Sequence, residues 1–271
     1  EASELLNTVI DRDPDNMLAY SDRSRIKADR GDLKGAEEDL TKAIALEPEY
    51  YWNYIDRGRV RIHMENRKAA LEDFSKAIEL NPEPFAAYIY RSGLREGFGN
   101  LEGALEDYNA LVKRKPDYYF AFSSMGQLYY MFEQWEEAKK YFHKAYEFEK
   151  NRYTYTLLAA LCMKQQGKQK EVKQYINDII SSIPRDNLAY HVARTFVEPH
   201  YDNRALSLLE KAEEKKKKNK LLFYLASLYL LEGKVSLAQT YLLEVRDKTF
   251  PDTIEHQLAD WQLKQFEERK E

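Results

Sequence analysis

Residues 51–84 read YWNYIDRGRV RIHMENRKAA LEDFSKAIEL NPEP, and altered versions of this 34-residue stretch recur along the chain. Apolar residues in its second half recur at three- and four-residue spacing, as at Phe74, Ala77 and Ile78, which predicts a helix with one apolar face. Pro82 marks the end of that helix, because proline fixes its own φ and disfavours helix in the residue before it. Each copy of the stretch therefore predicts a pair of helices followed by a sharp boundary.

When the copies are aligned, four columns of equivalent positions recur with the same period. The boundary prolines are Pro14, Pro48, Pro82 and Pro116, with Pro184 two periods further on. The other columns hold a small residue on the first helix, an alanine on the second, and a large apolar residue four positions later, as at Gly58, Ala70 and Phe74. The small residue and the alanine let the two helices approach closely, and the large residue packs over their contact.

These columns resemble the tetratricopeptide repeat. The second copy meets the pattern of that family at Tyr54, Gly58, Ala70, Phe74, Ala77 and Pro82. The resemblance covers nearly the whole chain and implies an all-α fold, a right-handed α-solenoid of about seven helix-turn-helix repeats with a C-terminal capping helix. One such repeat cannot bury its apolar face alone, so neighbouring repeats must stack.

The period divides residues 1–252 into one predicted array. A partial repeat at 1–16 precedes seven full repeats at about 17–50, 51–84, 85–118, 119–152, 153–185, 186–218 and 219–252. Residues 253–271 are predicted to form the capping helix, with Ile254, Leu258, Trp261 and Phe266 facing inward. Because the chain starts at Glu1 with half a repeat and no methionine, we expect a trimmed or processed product.

Repeats one to three differ from the later repeats in two columns. They carry an arginine before the small residue and an aspartate three positions after the alanine, which are Arg23 with Asp39, Arg57 with Asp73, and Arg91 with Asp107. In repeats four, five and seven both columns lose their charge, as at Met125 with Tyr141. Since charge appears in both columns or in neither, we predict one structural ion pair in each early repeat. An alternative assigns these arginines, together with Lys27, Arg61 and Arg95, to a groove for an acidic ligand.

Composition excludes several classes of protein. The 42 Lys and Arg residues nearly balance 46 Asp and Glu residues, which gives no support to capture of nucleic acid by global charge. The single cysteine, Cys162, cannot form an intrachain disulfide, and its repeat column predicts a buried small side chain. The five histidines are scattered, with no pair at i, i+4. We therefore expect no metal, no cofactor and no catalytic site, and predict that the chain is not an enzyme.

Two local features carry weaker signals. The run Lys215–Lys218 is interpreted as the end of a helix containing Glu210, where positive charge suits the helix dipole. A solvated helix end is the expected role of this run, with nucleic-acid or membrane contact as the alternative. In repeat three, Gly93 and Gly97 predict a shallow gap on the inner face, which indicates either room for a ligand or a flexible point.

The candidate binding surface follows from the resemblance. In proteins similar to this one, stacked first helices line a concave groove that receives an extended segment or a helix of a partner. On that pattern, the groove of repeats one to five includes as partner-binding residues Arg25, Trp52, Ile55, Arg59, His63, Ile89, Phe120, Gln127 and Tyr130. Aromatic and arginine side chains on an otherwise uncommitted face are typical binding anchors. The alternative is that some of them pack against neighbouring first helices.

The family also contains a clamp for the acidic carboxyl terminus of heat-shock chaperones. That clamp needs Lys and Asn at set positions of the first helices, whereas this chain has Ser21, Asp56 and Ala86 there. We therefore predict no carboxylate clamp, and instead a non-catalytic scaffold that binds another protein or a peptide segment. Assembly into a homo-oligomer, or a regulatory role within a larger protein, stays as an alternative. A cytoplasmic location, and a periplasmic one after removal of a leader, both stay open.

Overall fold

The computed structural model describes residues 2–198, 200–246, 250–251 and 253–268, which form helices and no strand. The chain divides into two compact units, Glu1–Tyr118 and Tyr119–Glu271, called unit 1 and unit 2 below. The division coincides with the predicted boundary between the third and fourth repeats. Each unit is built from helical hairpins that pack on one another, so the expected all-α repeat fold is confirmed.

Unit 1 contains three complete hairpins preceded by a single helix. Its helices are α1 (Ala2–Arg12), α2 (Met17–Asp29), α3 (Leu33–Leu46), α4 (Tyr51–His63), α5 (Arg67–Leu80), α6 (Phe85–Gly97) and α7 (Leu101–Arg114). The two helices of each hairpin pack together, and each second helix also packs against the first helix of the next hairpin.

Unit 2 contains four hairpins followed by a single helix. Its helices are α8 (Phe120–Met131), α9 (Trp135–Phe148), α10 (Thr154–Gln165), α11 (Gln169–Ile180), α12 (Leu188–Thr195), α13 (Asp202–Glu210), α14 (Lys215–Leu231), α15 (Val235–Val245) and α16 (Ile254–Glu268). The α12–α13 hairpin is short, and α14 packs directly against α10 as well as against α12.

The turn inside each hairpin needs one residue with positive φ. Gly31 and Gly99 adopt it at φ values of 83° and 75°, and glycine does so without a steric penalty. Glu65 fills the same position of the second hairpin at φ 60°, where a side chain is strained. The side chain of Asn66 then begins α5 by accepting a hydrogen bond from the backbone N–H of Ala69. These turns keep the connection between paired helices short.

The small and large columns meet as the repeat pattern predicts. A Cβ atom placed on Gly58 would lie 2.8 Å from Cζ of Phe74, and one placed on Gly126 would lie 2.7 Å from Cδ1 of Phe142. Both phenylalanines are completely buried. The first helix of each of these hairpins therefore approaches the second so closely that only glycine fits at the contact.

The basic run lies at the opposite end of a helix from the one predicted. α13 ends at Glu210, and Lys215 is the first residue of α14, so the expectation that Lys215–Lys218 closes a helix is wrong. The break falls there because Glu213 and Glu214 directly precede α14, where the helix dipole favours negative charge. The four lysines that follow occupy the first turn of α14, where the same dipole disfavours them.

Candidate functional site

The three expected ion pairs are present inside the hairpins of unit 1. Nη2 of the arginine lies 2.7 Å from Oδ1 of the aspartate in Arg23–Asp39, 2.7 Å in Arg57–Asp73 and 2.6 Å in Arg91–Asp107. All three aspartates are buried. Each pair therefore joins the two helices of one repeat.

A second cation binds each of these carboxylates one turn later. Lys27 lies 2.8 Å from Asp39, Arg61 lies 2.9 Å from Asp73, and Arg95 lies 3.1 Å from Asp107. Burial alone would raise the pKa of Asp39, but hydrogen bonds from Arg23 and Lys27 hold it below its usual value. These cations neutralise buried aspartates, so the alternative that they form a groove for an acidic ligand is wrong.

The same arginines also reach the preceding repeat, through a column that the sequence reasoning missed. Nη1 donates a hydrogen bond from Arg23 to Asn7 at 2.8 Å, from Arg57 to Thr41 at 3.2 Å and from Arg91 to Ser75 at 3.4 Å. The three acceptors are spaced 34 residues apart, like every other column of the repeat. Each guanidinium therefore ties its own hairpin to the helix that precedes it, which is α1, α3 or α5.

An exposed face runs over the first helices α2 and α4 of unit 1. Leu18 and Trp52 occupy equivalent positions in the two helices and are 56% and 39% exposed. Arg25 lies 3.1 Å from Asp56, and Arg59 lies 3.4 Å from the same carboxylate, so one acid holds two arginines across the face. Apolar and cationic groups are thereby presented together on the surface.

A cleft of about 460 Å³ opens between α2 and α4. The side chains that line it and bear on binding are Arg25, Asp29, Asp56, Arg59 and His63. Its apolar wall comes from Leu33, Leu40 and Val60. The predicted groove residues Arg25, Arg59 and His63 are thus brought together in one cleft.

Two predicted groove residues of unit 1 lie elsewhere. Ile55 is only 2% exposed and packs in the core with Phe74, so its assignment to the open groove is wrong. The cause is its membership in a buried cluster with residues of α5 and α6, such as Phe74 and Ala87. Ile89 is half-buried on α6, and Gly93 and Gly97 have open space where a side chain would be, in line with the expected gap.

In unit 2 the C-terminal helix α16 covers the corresponding residues of α8. Nε2 of Gln262 donates a hydrogen bond to the hydroxyl oxygen of Tyr130 at 3.3 Å, and Gln127 donates one to Gln257 at 2.5 Å. The Trp261 ring lies edge-on to Tyr130, with 5.9 Å between ring centroids. Tyr130 is completely buried, so its assignment to an open groove is wrong, and Gln127 is engaged by α16.

The contact between α16 and unit 2 is rich in polar groups. The Tyr224 hydroxyl lies 3.0 Å from the buried carboxylate of Glu255, and Ser227 donates a hydrogen bond to Gln262 at 3.3 Å. Among the described residues, Oε2 of Glu255 and Nδ1 of His256 are buried without a hydrogen-bond partner. α16 therefore packs on α8, α14 and α15 as the predicted capping helix, but it also occupies the face that α8 would otherwise leave open.

Phe120 is the remaining predicted groove residue of unit 2. It begins α8, is 61% exposed and lies beside the ring of Tyr119, with 4.1 Å between ring centroids. α16 thus leaves this one aromatic side chain of the predicted groove accessible.

Within the described part of the chain, no cluster of three or more His, Cys, Asp or Glu residues could hold a metal ion. Cys162 is completely buried in α10, and burial raises the pKa of its thiol, so the side chain is protonated at neutral pH. None of the helices in the described ranges is long and apolar enough to cross a bilayer.

The fold and this face define a class of protein, an all-α repeat protein built from helical hairpins. The tetratricopeptide repeat family matches residues 55–119. The family resemblance expected from the sequence is therefore supported over these residues. Among the curated proteins compared with it, none matches.

Solved structures support the fold along most of the chain. A tetratricopeptide repeat protein from Parabacteroides merdae ATCC 43184 is 22% identical, with 91% of this chain and 98% of that chain covered and a TM-score of 0.56. YrrB, a TPR protein with an unusual peptide-binding site, is 17% identical over 71% of this chain and 99% of its own, with a TM-score of 0.59. MamA is 27% identical over 55% of this chain and 88% of its own, with a TM-score of 0.50.

Proposed function

We propose that this chain is a non-catalytic scaffold and that unit 1 binds an extended segment of another protein over α2 and α4. The observation that carries the proposal is the cleft of about 460 Å³ between these helices, together with the exposed side chains of Leu18 and Trp52 two turns earlier on the same helices. A peptide-binding site in YrrB, a protein of the same fold, supports this use of the fold.

The chemistry of the face indicates what the segment must carry. Leu18 and Trp52 offer apolar area, and burying such area contributes about 25 cal/mol per Å². Arg59 is half exposed and shares the carboxylate of Asp56 with Arg25, which leaves guanidinium N–H groups available to oxygen acceptors. The fitting partner is therefore a segment with a large apolar side chain beside backbone or side-chain oxygens that Arg59 and His63 can bind.

The predicted groove residues of unit 2 do not enter this proposal. α16 covers Tyr130 and binds Gln127, so a partner could reach these two residues only by displacing a helix of the chain itself. The exposed face of unit 1 carries no such helix among the described residues.

Affinity capture with the intact chain and a matched pair of variants tests the proposal. Trp52→Ala/Arg59→Ala removes the two anchors, whereas Leu5→Ala/Arg67→Ala removes one exposed apolar residue and one arginine from α1 and α5. A partner of the face is a protein retained by wild type and by the control variant and lost with the face variant. Equal retention by both variants would show that the bound proteins use another surface.

Hydrogen exchange of the chain with and without the captured partner is the second measurement. Binding of the captured partner should slow hydrogen exchange in α2 and α4 and leave α5 unchanged. Protection confined to unit 2 would contradict the assignment of the site to unit 1.

A further inference from the structure

Unit 2 holds a cationic cavity that the scaffold function does not use. It has a volume of about 440 Å³ and lies where α10, α12 and α14 begin. Its cationic lining consists of Arg152, Lys216, Lys217 and Lys220. We propose that this cavity binds a multiply charged phosphate group.

The charge of the cavity is largely uncompensated. Lys218, which lies outside it, is 2.8 Å from Glu244, whereas Lys216, Lys217 and Lys220 have no carboxylate within 4.0 Å among the described residues. Arg152 does have a partner, because its Nη1 lies 3.2 Å from the Glu149 carboxylate. Glu214 is the single acid on the cavity wall, so three lysines without a partner share one carboxylate there.

The backbone adds to this positive charge. A helix carries partial positive charge at its N-terminus, and α10, α12 and α14 begin at Thr154, Leu188 and Lys215. Lysines in the first turn of α14 work against folding unless an anion compensates them, because like charges repel each other and the helix dipole. Such a violation of a local rule is expected where a site serves binding.

The cavity has room for a phosphate group. A space of about 440 Å³ accommodates a phosphate or pyrophosphate group with its nearest attached atoms. Lysine ammonium groups bind phosphate as point charges, and each offers three donors. The chain as a whole carries a net charge of −4, which opposes non-specific attraction of an extended polyanion to the rest of the surface.

The phosphate has two sources with the same chemistry, a free phosphate compound and a phosphorylated side chain of a protein. Titration calorimetry on the full chain distinguishes them, with inorganic pyrophosphate in one arm and a phosphoserine peptide with its unphosphorylated form in the other. Saturable binding in either arm supports the site and identifies the source. Absence of saturable binding in both arms, or binding of inorganic sulfate as tight as that of pyrophosphate, would overturn it.

A matched pair of variants places the binding in the cavity. Lys216→Gln/Lys217→Gln/Lys220→Gln should weaken binding at least tenfold, whereas Lys34→Gln/Lys42→Gln/Lys68→Gln, which removes the same charge from exposed sites in unit 1, should change it less than twofold. An equal loss in both variants would show attraction by general charge and overturn the proposal. Circular dichroism checks that each variant is folded, and the single substitutions Lys217→Gln and Lys220→Gln replace the triple variant if it is not.

Discussion

The hydroxyl oxygen of Tyr130 accepts a hydrogen bond from Nε2 of Gln262, 3.3 Å away and 132 residues later in the chain. This bond fastens α16 onto α8 within unit 2. Among the described residues, Gln165 also donates to the Tyr130 hydroxyl, at 3.5 Å. The C-terminal helix is therefore part of the interior of unit 2 and not only a cover for its last hairpin.

Gln262→Leu should lower the free energy of unfolding by about 1–3 kcal/mol, because it leaves the buried hydroxyls of Tyr130 and Ser227 short of partners. Urea unfolding measures the loss, and hydrogen exchange should speed up in α16 while α2 to α7 stay unchanged. Tyr130→Phe combined with Gln262→Leu should recover part of the stability. A loss spread equally over both units would show that α16 does not act locally.

Arg57→Met should destabilise unit 1 by about 2–3 kcal/mol, since it removes charged hydrogen bonds to the buried Asp73. The loss is limited because Arg61 stays 2.9 Å from the same carboxylate. Adding Asp73→Tyr, which copies the apolar pairing of later repeats, should restore much of the stability. In the double variant Arg61 would retain its ion pair with the Glu37 carboxylate, 2.7 Å away. A double-mutant cycle measured by urea unfolding tests this, and a coupling energy near zero would refute the pairing.

Gly58→Ala and Gly93→Ala should shift stability in opposite directions, although both glycines lie inside first helices. At Gly58 the new methyl group would meet Phe74 at 2.8 Å, and such overpacking costs about 1–3 kcal/mol. At Gly93 nothing lies within 4 Å, so alanine should stabilise the protein by about 0.5–1 kcal/mol through its better helix propensity. Thermal unfolding of the two variants decides the matter, and equal signs would contradict the close contact.

The carboxyl group of Glu96 should make the free energy of unfolding depend on pH. Burial raises the pKa of its carboxyl to about 7, against the opposing effect of a hydrogen bond from Tyr108. The folded protein thus holds the Glu96 proton more tightly than the unfolded chain, in which the pKa of this carboxyl is 4.5. The contribution of this group to the free energy of unfolding therefore falls as pH rises from about 4.5 to about 7 and stays low above that range.

Glu96→Gln should accordingly match wild type near pH 4.5 and exceed its stability at pH 8 by about 2–3 kcal/mol, since one pKa unit corresponds to about 1.4 kcal/mol. Urea unfolding at the two pH values measures the difference. Glu102→Gln, at an exposed position of α7, serves as the control and should show no such pH dependence. A Glu96→Gln advantage that is the same at both pH values would speak against titration of the buried carboxyl.

Features that repeat along the chain could be predicted from the sequence. Gly58 and Phe74 belong to columns set by helix contact, and Arg57 with Asp73 could be paired because both charges disappear together in later repeats. These contacts lie 16 residues apart, within one hairpin. The period therefore contains the information needed to place them.

The features that the sequence did not reveal depend on tertiary contacts and helix ends that the repeat period does not specify. Tyr130 fits the pattern of an open first helix, and its burial arises from α16, which no column of the repeat connects to α8. The position of Lys215 depends on where the short α13 ends, and the helical period alone does not determine that point. Ile55 is buried by contacts with residues of α5 and α6, and the helical period does not specify how deeply neighbouring helices cover a first-helix residue.

The reach of each guanidinium to the preceding hairpin makes unit 1 modular. Removal of residues 51–84 would bring Arg91 against Thr41, a hydroxyl acceptor of the same kind as Ser75, which it binds in the intact chain. The hydrogen bond that is lost and the hydrogen bond that forms both join an arginine to a hydroxyl group. Unit 1 could consequently be shortened by deleting whole repeats, without redesigning the contact between the hairpins that become neighbours.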